Sequence, residues 1–128
     1  MLFRSDLDGF KSVNDLHGHA AGDSVLKFVA EQLRTGLREG DTAGRIGGHE
    51  FLVVLPDCGV GEALDVLGRR VTASLSMMID WEGLQLQVRA SVGAALFPAD
   101  GQDPASLIAA ADQAMYRAKQ PGGGYARS

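Results

Sequence analysis

The sequence predicts an α+β domain whose central sheet is mainly antiparallel and surrounded by helices. Two adjacent glycines, Gly47 and Gly48, separate two strand-like runs and read as a tight hairpin, because glycine reaches the positive φ that primed turns require. Two long stretches carry apolar residues at near-3.6 spacing and read as helices. Strand-like and helical runs interleave without the regular alternation of a doubly wound parallel fold, which favours antiparallel pairing.

Residues 2–7 read as a short strand ending in the acidic pair Asp6 and Asp8. A short helix follows over residues 10–16, with Phe10 and Leu16 as core residues, and then a polar, glycine-containing turn over residues 17–23. Residues 24–38 place Val25, Val29, Leu33 and Leu37 on one helical stripe, and Asp23 is positioned to cap it by accepting from first-turn N–H groups. The glycine hairpin joins residues 43–46 to residues 50–55. Residues 62–75 form the second long helix, which stops before a turn at residues 81–83. Residues 85–97 supply either two strand-like runs or one long strand bent around Gly93. Asp103 and Pro104 start the last helix, with a capping carboxylate and a proline at the first helical position. That helix runs to about Lys119 and is ended by the glycine-rich residues 121–124. One domain is expected over residues 1–120, with residues 121–128 a flexible tail.

A chain of 128 residues buries roughly two-thirds of its unfolded surface, enough for one core. Twelve basic against sixteen acidic residues leave a net charge of −4, which disfavours nonspecific attraction to nucleic acid or an anionic membrane. No apolar run approaches the ~20 residues that span a bilayer, so no membrane contact by this segment and a cytoplasmic location are expected. Cys58, the only cysteine, makes neither an internal disulfide nor a metal cluster and reads as an ordinary packing residue.

Asp6 and Asp8 lie two apart on one strand and share a face. If the hairpin strand is adjacent, Asp6 and the His49–Glu50 pair converge on a point where a hard cation such as Mg²⁺ would bridge triphosphate oxygens. Aspartate at a strand end is also a common turn former, and the spacing alone leaves both readings open.

Three segments decide more. DLDGFKSVNDLHGHAAGD (residues 6–23), RIGGHEF (residues 45–51) and DQAMYRAK (residues 112–119) stand in an order and at gaps that resemble the GGDEF domain of diguanylate cyclases, with a divergent GGHEF signature. The resemblance covers nearly the whole chain. It implies a nucleotide-cyclase palm-like fold and the condensation of two GTP into cyclic di-GMP with release of two pyrophosphates. It also implies Mg²⁺ (or Mn²⁺), if the domain is active, held by Asp6, the carbonyl of Leu7 and the third signature position, His49. Lys11 and Lys119 match residues that neutralise the triphosphate, a task suited to a compact ammonium. Lys11, His49 and Glu50 occupy catalytic positions, and Gly47 and Gly48 form the turn against GTP. Asn14 and Asp23 match the pair that reads the guanine edge, where a carboxylate accepts from N1–H and the N2 amine. Arg38 and Asp41, an RxxD just before the hairpin, match the product-inhibition site for cyclic di-GMP, with Arg69 as its second arginine. Alone, RxxD is equally a solvated helix end.

Three departures bear on function. His49 stands where the family carries a carboxylate, and imidazole is a poorer Mg²⁺ ligand. Glu50 survives beside it, with its side chain expected on the other face of the strand. Gly123 stands where a phosphate-binding arginine is expected, leaving Arg127 as the basic residue of the tail. The helix and acidic–leucine–threonine motif that precede the family's first strand are absent, implying a domain without its N-terminal helix, taken from a longer protein. The leading expectation is a GGDEF-type domain with impaired catalysis and retained recognition of GTP or cyclic di-GMP. The alternative is a non-catalytic cyclic di-GMP receptor acting through the RxxD site. An active cyclase in which His49 recruits a softer metal, and a vestigial interaction domain, remain open. Any catalysis needs a homodimer, because two half-sites must face each other; the isolated domain is expected to be a monomer.

Overall fold

Phe3, Ser5 and Leu7 are buried and alternate along β1 (Leu2–Asp8) with Arg4, Asp6 and Asp8, so the first strand already carries one apolar and one charged face. Both faces are covered in the computed structural model, which describes residues 2–56, 61–119 and 124–128. The fold is α+β. After β1 come α1 (Phe10–His17), α2 (His19–Gly36), β2 (Thr42–Gly47), β3 (Glu50–Val54), α3 (Gly61–Leu75), β4 (Met78–Trp81), β5 (Leu84–Gln87), β6 (Arg89–Ala95), α4 (Pro104–Ala118) and β7 (Gly124–Arg127). The main sheet has the order β2-β3-β1-β6-β7, and β4-β5 form a separate hairpin. β1 is central and antiparallel to both β3 and β6; among the described strands only the β6–β7 pair is parallel.

On the apolar face, Phe3 and Leu7 pack with Phe51 and Val53 of β3 and Val92 of β6, beneath Val25 and Val29 of α2 and Leu64 of α3. α4 lies across the charged face. It approaches β6 so closely that a Cβ on Gly93 would fall 2.1 Å from the Ala111 carbonyl oxygen and 2.3 Å from the Met115 nitrogen. Asp103 caps α4 as expected, its carboxylate accepting from Ser106 N–H at 2.8 Å behind Pro104. That bond and the Ser106 hydroxyl hold the Asp103 carboxyl below the usual carboxylate range.

Several expectations need correction. α2 begins at His19, not at residue 24: the segment read as a turn is its first helical turn, broken from α1 only at Gly18, which has φ 88°. Asp23 is therefore inside the helix and exposed, and no side chain caps its N-terminus. Leu16 is 77% exposed and not core, because α1 presents its last turn to solvent. The region after α3 contains an unexpected strand, β4, and residues 85–97 divide at Val88 into β5 and β6. Gly124–Arg127, expected as loose tail, form β7 on the sheet edge, where Tyr125 packs edge-on against Phe3 with ring centroids 6.4 Å apart. Cys58 and Gly123 lie outside the described residues.

Candidate functional site

The β2–β3 turn brings the charged groups together. Gly47 and Gly48 adopt φ of 144° and 45°, the left-handed values that favour glycine, and a register shift before Gly47 lets His49 leave the ladder. The turn is tied to β1, where Leu7 N–H donates to the His49 carbonyl at 3.4 Å. The His49 ring stacks on Phe10 of α1 at a centroid distance of 5.2 Å, which aims Nε2 toward β1. Nε2 stands 2.8 Å from Asp6 Oδ1, without the alignment of a hydrogen bond. Lys119, just beyond α4, donates through Nζ to Asp6 Oδ2. Asp6 is 6% exposed, so both oxygens of a buried carboxylate face basic side chains. The hydrogen bond to Asp6 raises the Lys119 pKa above its ordinary value; burial opposes this, and the charges of Asp6, Asp8 and Glu50 add to it.

The other carboxylates are engaged separately. Asp8 accepts from the Ser91 hydroxyl at 2.7 Å. Glu50 is the direct register partner of Asp6, so it projects onto the same α4 face and not onto the opposite one. It does not join Asp6, because Arg4 draws it off with an ion pair of 2.9 Å while also meeting Asp112 of α4 at 3.2 Å. Among the described residues, no group of three His, Cys, Asp or Glu is placed to hold a metal ion. The donor set does not fit the hard-cation site that the resemblance implies: Asp6 is already matched by an ammonium and an imidazole, and Glu50 opposite it by Arg4.

Asn14 of α1 and Asp23 of α2 stand on adjacent helices, while Lys11 is exposed on α1. The Asn14 side chain is set by Gly22, where a Cβ would fall 1.9 Å from Asn14 Oδ1. Gly22 is a residue that sequence reasoning missed; its spacing four residues after Gly18 gave no signal without the helix crossing.

Arg38 and Asp41 form a small turn in which Arg38 N–H donates to Asp41 Oδ2 at 2.9 Å. They line a cavity of ≈ 430 Å³ between α2 and α3 together with Arg70 and Ser74. Arg69, the arginine expected there, is not among its lining residues; its charge acts instead on Tyr125, on the β7 side of α3. Arg127 pairs with Asp65 at 3.4 Å, so it is held at α3 and not at the glycine turn.

The sequence model described as "Diguanylate cyclase, GGDEF domain" matches residues 1–124. The chain belongs to the GGDEF family. This GGDEF domain is 42% identical over 122 residues to the uncharacterized protein YhcK of Bacillus subtilis, covering 94% of this chain and 34% of YhcK. It is 40% identical over 117 residues to the bifunctional diguanylate cyclase/cyclic di-GMP phosphodiesterase MucR of Pseudomonas aeruginosa, covering 91% of this chain and 17% of MucR. The chain thus spans about a third or less of these relatives. Among solved structures, the GGDEF domain of TpbB from P. aeruginosa superposes with a TM-score of 0.88 at 36% identity, covering 99% of this chain and 80% of that one. The GGDEF domain of DgcB from Caulobacter crescentus, in complex with c-di-GMP, gives 0.88 at 26% identity, covering 98% and 75%.

Proposed function

We propose that this GGDEF domain serves cyclic di-GMP signalling by recognising nucleotides, with its own condensation of GTP impaired. The observation that carries this reading is the Asp6 carboxylate, matched by His49 and Lys119, while its cross-strand neighbour Glu50 is paired with Arg4. Without the third-position carboxylate, the 3′-hydroxyl lacks both a base and a metal to lower its pKa, and loss of a general base alone costs ~10²- to 10⁴-fold. Asn14 and Asp23 keep the residue types suited to the guanine edge, and Lys11 keeps an ammonium for phosphate. The location is the cytoplasm, where GTP is available; among the described residues no helix is long and apolar enough to cross a membrane.

The second reading is a cyclic di-GMP receptor. It is favoured by the cavity that gathers Arg38, Asp41 and Arg70, a fork-shaped donor pair with a carboxylate acceptor suited to phosphate and guanine. Calorimetry with GTP and with cyclic di-GMP separates the two. Binding of GTP that Asp23→Ala abolishes supports the first; binding of cyclic di-GMP that Arg70→Ala weakens and Arg69→Ala spares supports the second. Absence of both bindings removes nucleotide recognition altogether.

A further inference from the structure

The mismatch between the glycine turn and a hard cation has a consequence for what the turn accepts. A divalent ion approaching Asp6 meets the Lys119 ammonium on one oxygen and the His49 ring on the other. Asp8 is engaged by Ser91 and Glu50 by Arg4, so each carboxylate already has a partner that a coordination shell would have to displace. A triphosphate fares little better. Its charge would face Asp6, Asp8 and Glu50, while Lys119 and Arg4 beside them are already ion-paired. Lys11, exposed on α1, supplies one positive charge that mono-, di- and triphosphates use alike. Discrimination then falls to the base.

We propose that guanine nucleotides bind this site without a divalent cation and with no preference for the triphosphate, the His49–Asp6–Lys119 cluster standing where a metal would. This inference rests on nucleotide recognition through Asn14 and Asp23, so the test separates the two. GMP and GTP are titrated calorimetrically into the protein, each with excess EDTA and with Mg²⁺. The expected result is four dissociation constants within about threefold of one another. GTP binding that requires Mg²⁺, or that exceeds GMP binding by about tenfold or more, overturns the inference and leaves nucleotide recognition standing. Silence in every arm overturns both.

A second measurement needs no nucleotide. Mn²⁺ alone is titrated by electron paramagnetic resonance into wild type, His49→Asp and the His49→Asp/Lys119→Met double variant. His49 is over a third exposed, so the single variant serves should the double one fail to fold. Mn²⁺ affinity is expected to rise from wild type to the variants. Equal affinity in all three, including none, overturns the claim that this cluster stands in place of the metal.

Discussion

At position 22 the absence of a side chain lets α2 rest on Asn14, whose oxygen would otherwise sit 1.9 Å from a Cβ. Alanine favours helix over glycine by about 1 kcal/mol, and the displaced group is the mobile end of a side chain. Gly22→Ala is therefore expected to hold or raise thermal stability while weakening guanine nucleotide binding, read by a melting curve beside a GMP titration. Tyr125 carries a pH dependence. Burial raises its pKa above the ordinary 10.0, and the hydrogen bond to Asp65 raises it further. A raised folded pKa means that the stabilisation is complete below pH 10 and is lost as pH climbs toward the folded value. Urea unfolding above pH 10 should fall less steeply for Tyr125→Phe than for wild type; parallel slopes would show that Tyr125 does not carry the effect. At this scale the convergence of Asp6 and His49 was legible in the sequence, since it follows from an acidic strand end beside a glycine turn. The sequence left hidden that Lys119 reaches Asp6 across 113 positions, and that Arg70, not Arg69, lines the cavity with Arg38, because helical phase decides which of two neighbours turns inward.

Elements meet most tightly where α4 crosses β6 at Gly93. A methyl group there collides with helix backbone, which cannot yield as a side chain can. Gly93→Ala is expected to destabilise the fold by about 2–3 kcal/mol in urea unfolding, or to prevent folding, in line with overpacked cores. A change below about 0.5 kcal/mol would mean that α4 slides freely on the sheet. The hairpin, the α4 cap and the two apolar stripes were legible because each rests on local chemistry: paired glycines, Asp103-Pro104 and helical spacing. The start of α2 was not, since Gly18 and Gly22 look alike in sequence while only Gly18 takes a left-handed φ. β7 was hidden for a different reason. Its four residues gain their order from parallel pairing with β6 and from Tyr125 lodging over Gly68, contacts that no local pattern announces.

For the whole molecule, family membership and fold were legible from three motifs, while the state of the active turn required the packing of β1, the hairpin and α4 together. Joining two GTP demands two facing half-sites, and β2, the strand bearing the glycine turn, is exposed along its length. Light scattering is expected to show a monomer; a dimer at micromolar concentration would reopen the cyclase reading. The direct measurement is the formation of cyclic di-GMP from GTP by the purified domain with Mg²⁺ or Mn²⁺, beside an active GGDEF cyclase. A rate at least about 10²-fold below that cyclase is predicted, whereas equal turnover would contradict the matched Asp6 as the defect.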